Sequence, residues 1–362
     1  MPHFTPSAPT VSVLMAVHDG DACVRRAVES LRAQTLQNFE LVVVDAGSTD
    51  ATPRILQSLS ERDLRVHVLT TGEVSRGTAL QLALERSHGT YLLVMDADGW
   101  AEPTLLAELV TAAQLGDLEL VIGGFALVLV DGGKAVGETE VLAPTTTYPT
   151  QHDFRAAAWQ LLGSGQLLPA SGKLFVRERA ATWGACFDDA RPAAAGSGSD
   201  HGFVVDYLAR VERVGVLGEA RYHVERSASP AVGGLEGFRQ LDAEHTQLLA
   251  LYRQWGFDGD AASVQMLQTR YAERLVECVG EVCSRGEGIS ASECDQAVTQ
   301  MIDTDRAQLA ASVAKPAGGL AKVLMPAIRA RNAKLACLRA RLASLLPRAL
   351  RAEGTVAPDA FV

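Results

Sequence analysis

Residues 11–52 read VSVLMAVHDGDACVRRAVESLRAQTLQNFELVVVDAGSTDAT, and this stretch decides the fold. Two short apolar runs, at 11–17 and 39–44, flank a segment at 21–34 whose apolar residues recur with helical spacing. Near-continuous runs of Val and Leu of this length are typical of strands buried on both faces of a sheet, and parallel strands need a crossover connection. The stretch therefore predicts a β-α-β unit with two parallel strands.

The same alternation of apolar and helical segments continues to residue 130. Further apolar runs lie at 64–69, 90–95 and 120–130, and helical patterns lie at 52–62, 77–88 and 103–115. Beyond them, the glycine-rich turn Asp131-Gly132-Gly133 predicts a hairpin, followed by a polar loop to about residue 150. We then expect strands at 173–176, 212–217 and 220–224, and a mostly helical region at 235–346. The pattern predicts an α/β protein with a Rossmann-like, doubly wound, mostly parallel sheet and a C-terminal helical region.

The composition is that of a globular protein with an uneven distribution of charge. The chain has 362 residues, 48% of them hydrophobic, and a formal net charge of -10. Nine basic residues and no acidic one lie at 315–352, so the rest of the chain is strongly acidic. This argues against nucleic-acid binding, which needs a basic face. Because the N-terminus lacks a signal-peptide pattern and the apolar runs are short, we expect a cytoplasmic protein, with the inner face of the cell membrane left open.

The six cysteines are scattered through the sequence without a C-x-x-C pair. In a chain of this length, such spacing is typical of reduced thiols. The sequence therefore predicts neither a disulfide framework nor a zinc site.

Acidic clusters follow three of the predicted strands. They are His18-Asp19-Gly20-Asp21, Asp45-Ala46-Gly47-Ser48-Thr49-Asp50 and Asp96-Ala97-Asp98-Gly99. Ligands of such sheets bind beyond the carboxyl ends of the strands, and clustered carboxylates repel an anion unless a cation lies between. Neither glycine-rich phosphate-binding motif, G-x-G-x-x-G or G-x-x-x-x-G-K-[ST], occurs at the expected place. A nucleoside diphosphate held through a divalent metal remains compatible with this edge.

Several segments resemble the inverting family 2 glycosyltransferases of the GT-A fold. They are AVHDGDACVRRAVESLRAQTLQNFELVVVDAGSTDAT at 16–52, GTALQLALERSHGTYLLVMDADG at 77–99, SGKLFVRE at 171–178, Ser199-Asp200, and Tyr222-His223 followed by Ser229. The resemblance covers roughly residues 11–230 and is most specific in its first half. It implies a metal-dependent transferase that moves a sugar from a nucleotide-diphosphate donor, UDP-linked, to a hydroxyl acceptor. The implied acceptor is a bacterial cell-surface polysaccharide, a teichoic-acid-like polymer or a lipid-linked glycan precursor.

The resemblance also implies roles for individual residues. Asp98 is the implied ligand of Mn2+ or Mg2+, and Asp96 contacts the ribose or the metal and its water. Asp200 is the implied general base that deprotonates the acceptor hydroxyl. The nucleotide-binding set consists of Asp45 at the uracil edge, His18 against the base, Ser48, Asp96, Lys173 and His223.

Purely structural roles remain possible for several of these residues. Asp200 could cap a helix N-terminus, His223 could be a core histidine, and Asp45 could be a turn residue. The sequence also departs from the family pattern, with Asp19, Ala46, Leu80-Gln81 and Ser199 at positions where the family has other residues. These departures motivate a second hypothesis, a catalytically degenerate GT-A-fold binding or scaffold protein.

The predicted organisation has three parts. Residues 1–230 form the nucleotide-sugar-binding catalytic domain, 231–352 a helical region with a basic amphipathic tail, and 353–362 a disordered end. A single helix over 327–346 is expected, with an apolar stripe of Ile328, Leu335, Leu338, Leu342 and Leu345. Such a helix suits a homo-oligomer, a peripheral contact of 315–351 with an anionic membrane, or packing on the protein itself.

Overall fold

The structure is a computed structural model that describes residues 8–187, 199–227, 234–284, 290–315 and 318–344. Its described residues divide into two compact units. The first unit holds the described residues up to 227 apart from 158–163, and the second holds 158–163 and the described residues from 234 onward. Every predicted site residue belongs to the first unit.

A ten-stranded sheet organises the first unit. Its strands are β1 (Val11–Val17), β2 (Phe39–Asp45), β3 (Val66–Thr70), β4 (Tyr91–Val94), β5 (Gly99–Ala101), β6 (Leu120–Asp131), β7 (Lys134–Val141), β8 (Thr146–Tyr148), β9 (Lys173–Val176) and β10 (Val214–Ser227). The strand order is β3-β2-β1-β4-β9-β6-β10-β5, with β7 paired to β6 and β8 paired to β10. Strands β1 to β4 run parallel, and β9 lies antiparallel between β4 and β6. The predicted mostly parallel sheet is confirmed.

The predicted crossover helices are confirmed at slightly shorter lengths. The helices up to residue 208 are α1 (Val24–Arg32), α2 (Thr52–Ser60), α3 (Arg76–Glu85), α4 (Leu105–Leu115), α5 (Gln151–Ser164), α6 (Arg177–Trp183) and α7 (Ser199–Leu208). Helix α3 begins at a defined cap, because the Ser75 side chain accepts a hydrogen bond from the Thr78 N–H at 3.1 Å. This cap fixes the position of Arg76, the first residue of α3, at the carboxyl edge of the sheet.

The hairpin predicted at the glycine-rich turn 131–133 is confirmed, whereas β5 and β8 were not predicted. Strand β7 extends into the segment predicted as a polar loop; it is mostly exposed and is held by its pairing with β6 across Gly132 and Gly133, both with positive φ. Strand β7 is defined by its backbone hydrogen bonds to β6, and its sequence has no hydrophobic pattern that would predict a strand. Strand β10 was predicted as two strands, but it runs through Gly218 with irregular register between Leu217 and Tyr222.

The second unit is helical, as predicted. Its helices are α8 (Gly234–Trp255), α9 (Ala261–Ser284), α10 (Ala291–Ile302), α11 (Asp305–Val313), α12 (Gly319–Arg329) and α13 (Ala333–Ser344). None of the helices in the described ranges combines the length and the apolar character needed to cross a bilayer. The end predicted to be disordered, 353–362, lies outside the described residues.

The prediction of one helix over 327–346 is wrong. Helix α12 ends at Arg329, and the chain turns through Arg331, which has a φ of 51°, before α13 begins at Ala333. Ile328 is buried on α12, whereas Leu338 and Leu342 of α13 are 55% and 56% exposed. The stripe is therefore not one face, and Leu345 lies outside the described residues. The turn between the two helices contains neither glycine nor proline. The helical spacing of the apolar residues continues across it, so the sequence pattern alone does not reveal the break.

Candidate active site

The loops that follow β1 and β2 are joined at the carboxyl edge of the sheet. One carboxylate oxygen of Asp19 accepts hydrogen bonds from the N–H groups of Thr49 at 2.7 Å and Asp50 at 3.3 Å. The Asp19 N–H in turn donates to the Ser48 Oγ at 2.9 Å. The N–H of Thr49, more than that of Asp50, holds the pKa of Asp19 below its usual value. Ser48, predicted to bind the nucleotide, thus lies in the junction between the two loops.

Asp45 is the last residue of β2 and is fully buried. Its Oδ1 accepts a hydrogen bond from the Ser48 N–H at 3.0 Å. Its Oδ2 is buried and accepts no hydrogen bond from the described residues. Because a buried carboxylate oxygen without a donor is costly, this position favours a ligand that supplies an N–H or O–H group.

His18 directly follows β1 and lies beside Asp45, since Val17 and Asp45 are paired across β1 and β2. Its Nδ1 is 3.0 Å from the carbonyl oxygen of Ala46. A carbonyl can only accept, so this nitrogen carries the proton. The imidazole is fixed by the backbone while 50% of the side chain stays exposed.

Asp96 follows β4 and is buried. Its Oδ2 accepts a hydrogen bond from the Tyr222 hydroxyl at 2.8 Å, and its Oδ1 accepts one from Arg76 Nη2 at 2.7 Å. Arg226 Nη2 lies 3.6 Å from Oδ2. Burial opposes ionisation, but the two guanidinium groups outweigh it and lower the pKa of Asp96 to about 2.

Gly99 explains how Tyr222 can approach Asp96 so closely. A β-carbon at Gly99 would collide with the Tyr222 ring and its hydroxyl. The glycine after the second aspartate of D-A-D-G is therefore needed for packing.

Asp98 is more accessible than Asp96, with 39% of its side chain exposed. Arg226 Nη1 lies 3.1 Å from Oδ2 and 3.3 Å from Oδ1 of Asp98. Partial burial, followed by the negative charge of Asp96, raises the pKa of Asp98. Asp96 and Asp98 are therefore two carboxylates whose charges repel each other in one site.

Asp200 reaches the same site from the first turn of α7. Its Oδ2 accepts a hydrogen bond at 3.0 Å from Arg76 Nη2, the same nitrogen that donates to Asp96. Arg76 thus bridges the acidic residue after β4 and the carboxylate of α7.

Lys173, the first residue of β9, is buried. Its Nζ donates a hydrogen bond to the Pro169 carbonyl oxygen. Burial lowers the pKa of Lys173 to about 7, and the negative charge of Asp200 opposes this shift. Lys173 therefore lies under the site near Asp200, with its ammonium turned to the backbone.

The expectation that His223 contacts the diphosphate or the metal does not agree with the structure. His223 stacks on Trp100 at a centroid distance of 5.0 Å and lies 3.5 Å from carboxylate oxygens of Glu102 and Glu138. Side chains alternate between the two faces of a strand, so Tyr222 and Arg226 share the face directed at Asp96 and His223 takes the other. The alternative of a packed, half-buried histidine describes its position.

Two residues that sequence reasoning missed are Arg76 and Arg226. Both could have been found from signals in the sequence. Arg76 begins the helix after β3, so it belongs to the same edge as the acidic clusters. Arg226 lies four residues after Tyr222 on one strand, which places the two side chains on one face.

The donor set of Asp96 and Asp98 suits a hard divalent cation. Carboxylate oxygens are the ligands that Mg2+ and Mn2+ prefer, and a cation would relieve the repulsion that raises the pKa of Asp98. The guanidinium group of Arg226 now occupies the position beside Asp98 where a cation would bind. Cation binding at Asp98 therefore requires this guanidinium group to move away.

At the carboxyl edge of the mostly parallel sheet, the described residues combine a D-x-D pair with a separate helix-borne carboxylate, an arrangement that agrees with the resemblance to GT-A glycosyltransferases. Residues 12–163 match the model of the family "Glycosyl transferase family 2". The matched segment contains the D-x-D pair and covers less than half of the chain.

Relatives and solved structures agree with this class. EpsH of Bacillus subtilis is 31% identical over 149 residues, which are 41% of this chain and 42% of EpsH. The succinoglycan biosynthesis protein ExoO of Rhizobium meliloti is 24% identical over 267 residues, 72% of this chain and 73% of ExoO. The structure of S. aureus TarS 1–349 in complex with UDP-GlcNAc superposes with a TM-score of 0.63 at 17% identity, covering 92% of this chain and 90% of that one. The chain spans less than half the length of EpsH in this match, and the likeness to TarS, at 17% identity, shows a shared fold.

Proposed function

We propose that this protein is an inverting glycosyltransferase that moves a sugar from a UDP-linked donor to a hydroxyl group of a bacterial cell-surface glycan or its lipid-linked precursor. The observation that carries the proposal is the convergence of Asp96, Asp98 and Asp200 around Arg76 and Arg226. Three carboxylates held by two guanidinium groups give a site with cation-binding and proton-accepting groups in one place.

Donor recognition begins at Asp45. Its unpartnered Oδ2 accepts a hydrogen bond from the N3–H group of uracil, which removes the cost of the buried oxygen. The half-exposed His18 ring next to it lies against the base. The structure of TarS in complex with UDP-GlcNAc supports a uridine nucleotide as the donor.

Asp98 and Asp96 hold the diphosphate end of the donor. When bound, Mn2+ or Mg2+ neutralises the charge that builds up on the leaving nucleoside diphosphate. Asp98 supplies an accessible ligand oxygen, and Tyr222 and Arg76 fix Asp96 in its orientation. Arg226, once moved away from Asp98, would offer its guanidinium group to a phosphate oxygen.

Asp200 accepts the proton of the acceptor hydroxyl. The acceptor oxygen forms its bond to the anomeric carbon on the face opposite the leaving group, while the bond from that carbon to the phosphate oxygen breaks. The electron pair leaves with the nucleoside diphosphate, and the proton passes to Asp200. Before the reaction, the hydrogen bond from Arg76 keeps the Asp200 carboxylate in place.

The acceptor class is supported by relatives rather than by the geometry. ExoO is named for succinoglycan biosynthesis, which points to an extracellular polysaccharide for that protein. We extend this class of acceptor to the present chain. The basic segment 315–351 and the exposed leucines of α13 would then bring the enzyme to its acceptor through self-association or through an anionic membrane surface at its cytoplasmic side.

Release of UDP from UDP-sugars in the presence of Mn2+ tests the proposal. We expect Asp200→Asn and Asp98→Ala each to lower the rate by about 100-fold or more, since each removes a group that acts in the transition state. Asp117→Asn is the matched control. That side chain is 93% exposed before β6, at the amino edge of the sheet, and its residue has a φ of 45°, which asparagine tolerates.

The catalytically degenerate scaffold is the competing outcome. It would be established by the absence of turnover with every donor, or by equal rates for Asp98→Ala, Asp200→Asn and the unmodified protein.

A further inference from the structure

Three cysteines that are far apart in sequence come together in the second unit. They are Cys283 near the end of α9, Cys294 in α10 and Cys337 in α13. All three are buried, and their Sγ atoms lie within 4.8 Å of one another. The Sγ of Cys294 lies 3.7 Å from that of Cys283 and 3.5 Å from that of Cys337.

These distances suit thiolates around a metal ion. A disulfide needs a sulfur–sulfur distance of about 2.05 Å, and all three cysteines are free. Metal–sulfur bonds of about 2.3 Å in a tetrahedral site place neighbouring sulfurs about 3.8 Å apart. The spacing in the structure is therefore close to that of three vertices of a coordination tetrahedron.

The helices that present the sulfurs are well fixed. Helix α10 begins at a reciprocal cap, in which the Ser290 Oγ accepts from the Glu293 N–H at 3.2 Å and the Glu293 carboxylate accepts from the Ser290 N–H at 2.8 Å. Cys294 lies in the next position along the helix. On α13, Cys337 lies on the buried face with Ala336 and Ala340. The three sulfurs belong to one packed core cluster.

The surrounding charge is favourable for a thiolate cluster. Burial raises the pKa of the Cys283 thiol to about 12, so a cation that binds its sulfur must displace a proton. The guanidinium of Arg341, one turn after Cys337, interacts with Cys294 and has a raised pKa as a result. Three thiolates and a divalent cation carry one net negative charge, which Arg341 is placed to balance.

We propose that Cys283, Cys294 and Cys337 form a binding site for a thiophilic cation of the Zn2+ class. On binding, the cation forms three metal–sulfur bonds, and the three thiol protons pass to solvent. The site joins α9, α10 and α13, and it is separate from the carboxylate site of the first unit. The sequence prediction that no zinc site exists considered only local C-x-x-C spacing, which cannot detect cysteines brought together by helix packing.

The test is titration of the reduced, metal-free full chain with Zn2+ against a chromophoric chelator. We expect one equivalent to bind per chain with release of the three thiol protons, and an affinity that falls as the pH falls because protons compete with the cation for the sulfurs. Cys294→Ser and Cys337→Ser should each weaken binding by about 100-fold or more, because only two sulfur ligands remain. Cys278→Ser is the matched control, since Cys278 is a buried cysteine of α9 that does not belong to the group of three sulfurs, and this variant should bind Zn2+ as the unmodified chain does.

A second measurement is independent of whether the variants fold. X-ray absorption of the Zn2+-loaded unmodified chain should show three sulfur ligands at about 2.3 Å. The proposal is overturned by a coordination sphere of oxygen and nitrogen alone, by binding that Cys278→Ser weakens as much as Cys294→Ser, or by a disulfide among the three cysteines in the purified protein. Loss of UDP-sugar turnover with intact Zn2+ binding would count against the glycosyltransferase function only.

Discussion

Asp96 and Asp200 share a single guanidinium nitrogen, Arg76 Nη2, at 2.7 and 3.0 Å. The two carboxylates come from segments more than one hundred residues apart, one after β4 and one in α7. Arg76 therefore links the D-x-D loop to the proposed general base, and its removal should affect both.

Arg76→Met should reduce both stability and turnover. The folded-state pKa of Asp96 is held to about 2, so its ionisation stabilises the fold above the unfolded-state pKa near 4, and this stabilisation is lost as the pH falls through about 4 to 2. Without Arg76 that pKa rises, and we expect a loss of about 1–2 kcal/mol at neutral pH that shrinks in acid. Urea unfolding at pH 7 and pH 3 measures this difference.

Arg179→Met separates stability from activity in that experiment. Arg179 pairs with the buried Glu119 at 3.2 Å, at the amino edge of the same sheet. We expect Arg179→Met to destabilise the fold without lowering UDP-sugar turnover. Arg76→Met should lower turnover by about tenfold or more. Equal turnover of the two variants would contradict the role of Arg76.

Asp45→Asn should change the choice of nucleobase. Uracil offers a donor at N3, whereas cytosine has an acceptor there, so a carboxylate oxygen favours UDP over CDP. Replacing the carboxylate by an amide should weaken UDP binding by about 10- to 100-fold and reduce the preference over CDP, with little loss of stability. Calorimetric titrations of both nucleotides measure this. An unchanged ratio of the two affinities would remove Asp45 from base recognition.

Lys173→Met should stabilise the protein in a pH-dependent manner. The folded-state pKa of Lys173 is about 7, below the unfolded value near 10.5, so the unfolded chain binds more protons between these values and stability rises with pH. At pH 7 the free energy of unfolding of the methionine variant should exceed that of the unmodified protein by about 1–3 kcal/mol. This difference should become smaller as the pH approaches 10. Lys322→Met, an exposed change on α12, provides the control. A gap that stays constant from pH 7 to 10 would contradict this account.

Leu338 and Leu342 leave an apolar edge on α13 open to solvent. If the chain self-associates through this helix, Leu338→Lys with Leu342→Lys should shift the mass measured by light scattering to that of a monomer. Leu309→Lys is the control, since Leu309 is 53% exposed on α11. A monomeric unmodified chain would exclude self-association and leave two roles for the basic segment, contact with an anionic membrane and packing on the protein itself.

The sequence was sufficient for the elements whose signal is local. The buried strands β1, β2, β4 and β6 follow from continuous Val and Leu runs, and the acidic clusters after three of the predicted strands located the carboxyl edge. The turn at Gly132 and Gly133 predicted a hairpin, but the length of β7 was missed because its pairing to β6 is a backbone effect that leaves no hydrophobic pattern.

The parts of the site that were missed depend on contacts between distant segments. The side of β10 on which His223 lies follows from strand alternation once Tyr222 is known to face Asp96, but that contact spans 126 residues of sequence. The bridge by Arg76 and the gathering of three cysteines are likewise products of tertiary packing. Residue types and local spacing predicted which groups exist, and the fold determined which of them meet.

The central claim, a uridine nucleotide held through a divalent cation at Asp98, is tested most directly by the melting temperature with UDP in the presence and absence of Mn2+. A ligand that binds only the folded state raises the melting temperature according to its concentration relative to Kd. We predict a clear rise with UDP and Mn2+ together, a much smaller rise with UDP alone, and loss of the Mn2+ effect in Asp98→Ala but not in Asp117→Asn. A melting temperature that UDP leaves unchanged in the presence of Mn2+, or an Mn2+ effect that survives in Asp98→Ala, would contradict the account.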